Sequence, residues 1–137
     1  MTITVTTTVD APLAEVWRAY TSPADIRAWN SASPDWHTTA AEVDLRVGGA
    51  FSSRMEARDG SMGFDFAGVY TRVEPLSRLD YRFGERQATV RFEPVDGAVQ
   101  VSVSFDPEAS HSEAQQRAGW QAILDHFASH VTGRAWP

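Results

Sequence analysis

The chain has 137 residues, 42% hydrophobic and 22% charged, with a net charge of −6, no cysteine, and arginine at all twelve basic positions. This length suits one domain spanning 1–137 with a single substantial core. The missing cysteine excludes disulfides, thiolate nucleophiles and thiolate metal sites, and the missing lysine excludes a protein Schiff base and a lysine-based phosphate cradle. The acidic balance and the even spread of the arginines argue against a nucleic-acid surface. No apolar run approaches the roughly 20 residues of a membrane-spanning helix, and MTITVTTTVD lacks the basic start and cleavage site of an export signal, so a cytoplasmic location is expected.

Residues 3 to 9, ITVTTTV, are rich in β-branched side chains and predict a first strand, closed by Asp10-Ala11-Pro12 at the start of a helix. Leu13, Val16, Trp17 and Tyr20 follow helical spacing and give that helix one apolar stripe. Thr21-Ser22-Pro23 ends it and opens a second short helix, with Ser22 and Asp25 spaced as a capping box and Ile26 and Trp29 as its apolar side.

From about residue 38 the period becomes two, and Gly48-Gly49, Asp59-Gly60, Glu74-Pro75, Gly84-Glu85 and Asp96-Gly97 mark turns between six short strands. Leu79, Tyr81 and Phe83 alternate with polar residues, as do Val99, Val101, Val103 and Phe105, so each strand has one apolar and one wet face. FDFAGVYTRV is apolar on both parities, which suggests a long central strand or a bulge near Gly68. Asp106-Pro107 ends the last strand, and Ser110-His111-Ser112-Glu113 offers a capping box for a long helix to about Val131, terminated by Gly133. Trp120, Ile123, Leu124, Phe127 and Val131 form its stripe. The expected architecture is α+β in two layers: a seven-stranded antiparallel sheet, two short helices after the first strand, and a long closing helix.

Chemistry has few candidate positions. If Phe51, Ser53 and Met55 face the helix together with Thr39, Ala41 and Val43, the inner wall mixes large and small groups and leaves room for a cavity, a packed core being the alternative. Gly119, mid-helix beside Trp120, either lets a ligand or strand approach or serves close packing. His126 and His130 lie one turn apart on the flank of the stripe, a position of surface histidines, and no metal site is expected. His37, beside Asp35 and Trp36, is the candidate general acid or base, against a role in merely holding its loop. Arginines 46, 54, 58, 72, 82 and 91 are expected to pair across strands with Glu42, Asp44, Glu56, Asp80 and Glu93 on the wet face, with a Glu56 and Asp65 carboxylate pair as the lesser alternative. No phosphate loop, nucleotide fingerprint or serine elbow is present, and no cofactor is expected.

Three blocks, APLAEVWRAYTSPADIRAWN, VDLRVGGAFSSRMEARDGSMGFDFAGVY and QQRAGWQAILDHFASHV, carry a family likeness. The chain resembles the SRPBCC proteins, in the branch named for the activator of the 90-kDa heat-shock protein ATPase; the Val-Gly-Gly turn and the Gly-Trp on the last helix are its most specific features. The resemblance implies a helix-grip, or START-like, fold with a deep apolar cavity between sheet and long helix. It would place Trp29, Trp36 and His37 at the rim and Phe51, Ser53, Met55, Phe66, Gly68, Gly119, Trp120, Ile123 and Phe127 around a ligand. The partner it implies is a small hydrophobic or amphipathic molecule. A cyclase or hydrolase using His37 and Asp35, and a module contacting a chaperone, are the alternatives. The exposed first strand or the arginine-rich face would serve a homodimer if the chain is not a monomer.

Overall fold

The computed structural model describes residues 2–135. In chain order they form β1 (Ile3–Val9), α1 (Leu13–Thr21), α2 (Pro23–Trp29), β2 (Trp36–Val43), β3 (Ala50–Ala57), β4 (Gly63–Glu74), β5 (Arg78–Phe83), β6 (Arg86–Val95), β7 (Ala98–Phe105) and α3 (Glu113–Thr132). The strands make one antiparallel sheet in the order β1-β7-β6-β5-β4-β3-β2. Each strand from β2 onward is hairpin-linked to its neighbour, and only β1 is brought in from far along the chain, beside β7.

The sheet curls with its apolar parity inward. Ile3, Val5 and Val9 of β1 meet Val99, Val101, Val103 and Phe105 of β7, and α3 closes this face with Leu124 and Phe127. Burying such a side chain fully stabilises the fold by about 1.5–3 kcal/mol, so this end of the sheet is the well-packed anchor. On α3, Arg117 donates to the Thr4 carbonyl at 2.9 Å and Gln121 to the Thr6 carbonyl at 3.0 Å. These bonds occupy part of the β1 edge that the sequence offers for dimer pairing.

Several local expectations need correction. In β2 the register passes from Thr38 opposite Met55 to Ala40 opposite Arg54, leaving Thr39 as a bulge. The extra residue reverses parity, so Thr38, not Thr39, joins Ala41 and Val43 on the inner face, and the Thr39 hydroxyl reaches Glu56 at 3.4 Å on the outer one. β4 is a long strand of 12 residues, as its composition suggests, and its irregularity lies just past Gly68, between Tyr70 and Arg72, where it brings Val73 inward opposite Leu79.

The capping boxes also shift. Ser112 and Gln115 form the one on α3, because Glu108 already engages Ser110 and sits 2.6 Å from His111. Ser22 makes no side-chain cap on α2; Asp25 instead binds Arg18 at 3.0 Å and His130 at 2.8 Å, tying α1, α2 and α3 together. Gly133 ends α3 in the left-handed conformation at φ 72°.

On the outer face the ion pairs run mainly along strands: Arg54 to Glu56 at 3.0 Å, Arg72 to Glu74 at 2.7 Å and Arg78 to Asp80 at 2.8 Å. Residues two apart share a face, and an arginine is long enough to span that interval. The cross-strand exception is Arg54 to Asp65 at 3.6 Å, so Glu56 and Asp65 share an arginine and do not form a carboxylate pair.

Candidate functional site

At the β3–β5 end the sheet leaves α3, and a cavity of about 280 Å³ opens between them. Its sheet wall comes from inward positions of neighbouring strands: Phe51, Ser53 and Met55 of β3, Phe66 and Tyr70 of β4, Leu79 and Tyr81 of β5. Trp120, Ile123 and Leu124 form the helix wall, as their spacing on one stripe requires. Trp120 is itself held flat, stacked on Phe105 with ring centroids 3.9 Å apart and planes 9° from parallel. Tyr20, Ile26, Trp29 and Asn30 close the remaining side.

The candidate residues thus divide. Phe51, Ser53, Met55, Phe66, Trp120, Ile123 and Trp29 line the cavity. Trp29 is nevertheless no rim residue: it is buried, its indole N–H donates to the Ala19 carbonyl at 2.9 Å, and its ring packs between Tyr20 and Phe127. Phe127 lies behind the cavity with no exposed surface, because α3 turns it toward Tyr20 and Trp29, each 5.0 Å away. Gly68 sits under Phe51, where a Cβ would collide with the Arg82 carbonyl and come within 2.8 Å of the Phe51 ring. Its role is to admit that ring, which then contributes the surface.

Gly119 does not line the cavity, and a Cβ there would have no atom within 4 Å. Neither ligand approach nor close packing accounts for it, so Gly119→Ala should raise stability by about 0.5–1 kcal/mol through helix propensity alone. Urea unfolding would measure the gain, and a loss would show that this face of α3 is in contact.

Trp36 and His37 lie elsewhere. Trp36 is half-buried against Phe64, ring centroids 5.8 Å apart, and together with His37 it lines a separate polar groove of about 370 Å³ shared with Arg27, Arg58 and His126. Asp35 is exposed, lines neither space, and offers its backbone carbonyl to Arg58 at 2.8 Å. Among the described residues no hydrogen bond or ion pair joins Asp35 to His37. The two follow β2 and the turn before it away from the cavity, which corrects their reading as an acid–base pair within it.

His126 and His130 are less solvated than their flank position suggests. Burial, the largest cause, and the neighbouring His130 hold the His126 imidazole below its ordinary pKa, partly offset by the Ser31 carbonyl 3.1 Å from Nδ1. No group of three or more histidine, cysteine or acidic residues among those described could hold a metal ion.

Sequence reasoning missed the polar members of the cavity. Tyr70 and Tyr81, 6% and 8% exposed, face one another across β4 and β5, and Tyr20 joins them from α1. Burial pushes the Tyr70 phenol up to about 12 and raises Tyr20 and Tyr81 as well, with mutual repulsion adding to both. All three stay neutral near pH 7. Their hydroxyls and that of buried Ser53 make no hydrogen bond within the described residues, yet no polar side-chain atom is sealed without a partner, so these oxygens open onto the cavity. Arg86 completes the set from the start of β6: its Nε–H donates to the Asp106 carbonyl at 3.0 Å and its guanidinium lies 4.6 Å over the Phe83 ring.

A curled antiparallel sheet gripping a long C-terminal helix over an apolar cavity defines the helix-grip, or START-like, class. Within it, the family described as Activator of Hsp90 ATPase homolog 1-like protein matches residues 10–132, and the chain belongs to that family of the SRPBCC superfamily. The solution structure of an AHSA1-like protein from Aeromonas hydrophila is 46% identical over 97% of this chain and 93% of that one, with a TM-score of 0.92. The solution structure of Chr148 from Cytophaga hutchinsonii is 42% identical over 96% and 92%, with a TM-score of 0.83. The crystal structure of NE0264 from Nitrosomonas europaea, 20% identical over 97% and 95%, shares the fold at a TM-score of 0.80. No curated protein matches the chain. No helix among the described residues is long and apolar enough to cross a membrane.

Proposed function

We propose that the protein binds a small hydrophobic or amphipathic molecule in the cavity between β3–β5 and α3. The observation that supports this most is the wall itself: aromatic and aliphatic side chains around about 280 Å³, interrupted by a few hydroxyls that open onto the space and make no hydrogen bond among the described residues. Packed cores do not leave hydroxyls in this condition, because an unpaired buried polar group costs about 1–3 kcal/mol. A cavity just below the roughly 300–1,000 Å³ of common small-molecule sites suits a ligand of one or two rings or a short chain.

Acid–base catalysis by His37 and Asp35 has no support in this geometry, since both lie outside the cavity. A chaperone contact would rest on the family description, which names an ATPase activator. Native mass spectrometry of freshly purified protein tests the binding reading. A retained mass of a few hundred daltons, released and identified on denaturation, is the expected result. A clean apo mass, together with no uptake of added one- and two-ring compounds, would overturn it.

A further inference from the structure

Resting on that reading, we propose that the ligand is an amphipathic monocarboxylic acid, its carboxylate held by Arg86 and the Tyr81 hydroxyl and its apolar body between Phe66 and Trp120.

Among the described residues Arg86 is the only cation in the cavity lining, and it forms no ion pair there. Its one hydrogen bond among the described residues uses Nε, toward the Asp106 carbonyl, which fixes the side chain and leaves the two terminal nitrogens to a ligand. A guanidinium so held presents the paired donors that match a carboxylate. The flanking geometry agrees. Phe83 lies beneath the guanidinium, and Phe66, Phe83 and Trp120 form one aromatic surface with centroids 5.4 to 6.2 Å apart. Tyr81 stands beside Phe83 at 5.6 Å, close enough for Arg86 to favour its phenolate electrostatically.

The charge count selects among acids. One arginine and neutral tyrosines can compensate one negative charge, whereas a phosphate monoester carries about −1.5 to −2 near pH 7 and would bury charge unpaired. Among the described residues no acidic side chain lines the cavity to repel an anion or to receive an amine.

The experiment measures Kd by tryptophan fluorescence or calorimetry for three matched pairs: benzoate and benzyl alcohol, 2-naphthoate and 2-naphthalenemethanol, octanoate and octanol. A hydrogen bond to a charged group predicts that the best-fitting acid binds about 10- to 100-fold more tightly than its alcohol. Arg86→Gln should erase that ratio by weakening the acid far more than the alcohol, with the urea-unfolding midpoint reporting an intact fold; Tyr81→Phe should narrow it. Alcohols binding as well as acids to the unaltered protein would overturn this inference and leave the cavity reading standing. No binding by any of the six would overturn both. Because the acid-to-alcohol ratio needs no variant, the result does not depend on Arg86→Gln folding.

Discussion

Phe127→Ala is expected to lower folding stability by about 3–5 kcal/mol, the range for truncating a fully buried phenylalanine. The side chain has no exposed surface, and Tyr20 and Trp29 each meet it edge-on with centroids 5.0 Å away. Those two rings belong to α1 and α2, so one truncation loosens the contact of α3 with both short helices. Collapse cannot fill the gap cheaply, because the Trp29 indole is pinned to the Ala19 carbonyl at 2.9 Å. For a domain whose total stability is of order 5–15 kcal/mol, the loss is a large fraction of the whole. Urea unfolding would show it as a lower midpoint with little change in slope. A loss below about 1 kcal/mol would mean that α3 does not seat Phe127 in the core, and with it the division between core and cavity would fail.

That division shows where sequence reading succeeds and stops. Strict alternation in β5 and β7, and the stripe on α3, determine which faces meet, and the same parity places Phe51, Ser53 and Met55 together on the cavity wall. A bulge has no equally clear signature. The extra residue at Thr39 flips parity within a run of threonines and alanines, where either register looks the same on paper. The family resemblance implies a rim position for Trp29, but helix α2 turns it inward behind Tyr20, as its place on the apolar side of that helix suggests. Tyr20 and Tyr70 read as ordinary stripe and strand residues; their hydroxyls become informative only when the partners they lack can be counted. Arg86, next to a turn, carries no signal of its own in the sequence, and only the structure shows its guanidinium folded back over Phe83. Periodicity assigns faces, whereas a site depends on where a packed face ends, which is set by contacts far apart in sequence.

Ser53→Phe is expected to reduce uptake of any cavity ligand by about 100-fold or more, by placing a ring in the space the ligand needs. Ser53 is 5% exposed on the inner face of β3, between Ala41 of β2 and Phe66 of β4, and its hydroxyl opens onto the cavity. In a packed core such a change would cost about 1–3 kcal/mol through overpacking. Here the ring has about 280 Å³ to enter, and it removes an unpaired hydroxyl. The apo protein should therefore keep its stability or gain about 0.5–2 kcal/mol, as cavity-filling changes commonly do. Ser52, one residue earlier, lies on the opposite parity opposite Glu42, so Ser52→Phe provides the matched control and should leave binding unchanged. The pair separates two accounts of the same space. Lost stability in Ser53→Phe with intact Ser52→Phe would mean that the cavity is filled by protein side chains in solution, and undiminished ligand uptake would place the ligand elsewhere. Lost uptake at unchanged or higher stability is the combination expected of a preformed, ligand-sized space in this wall.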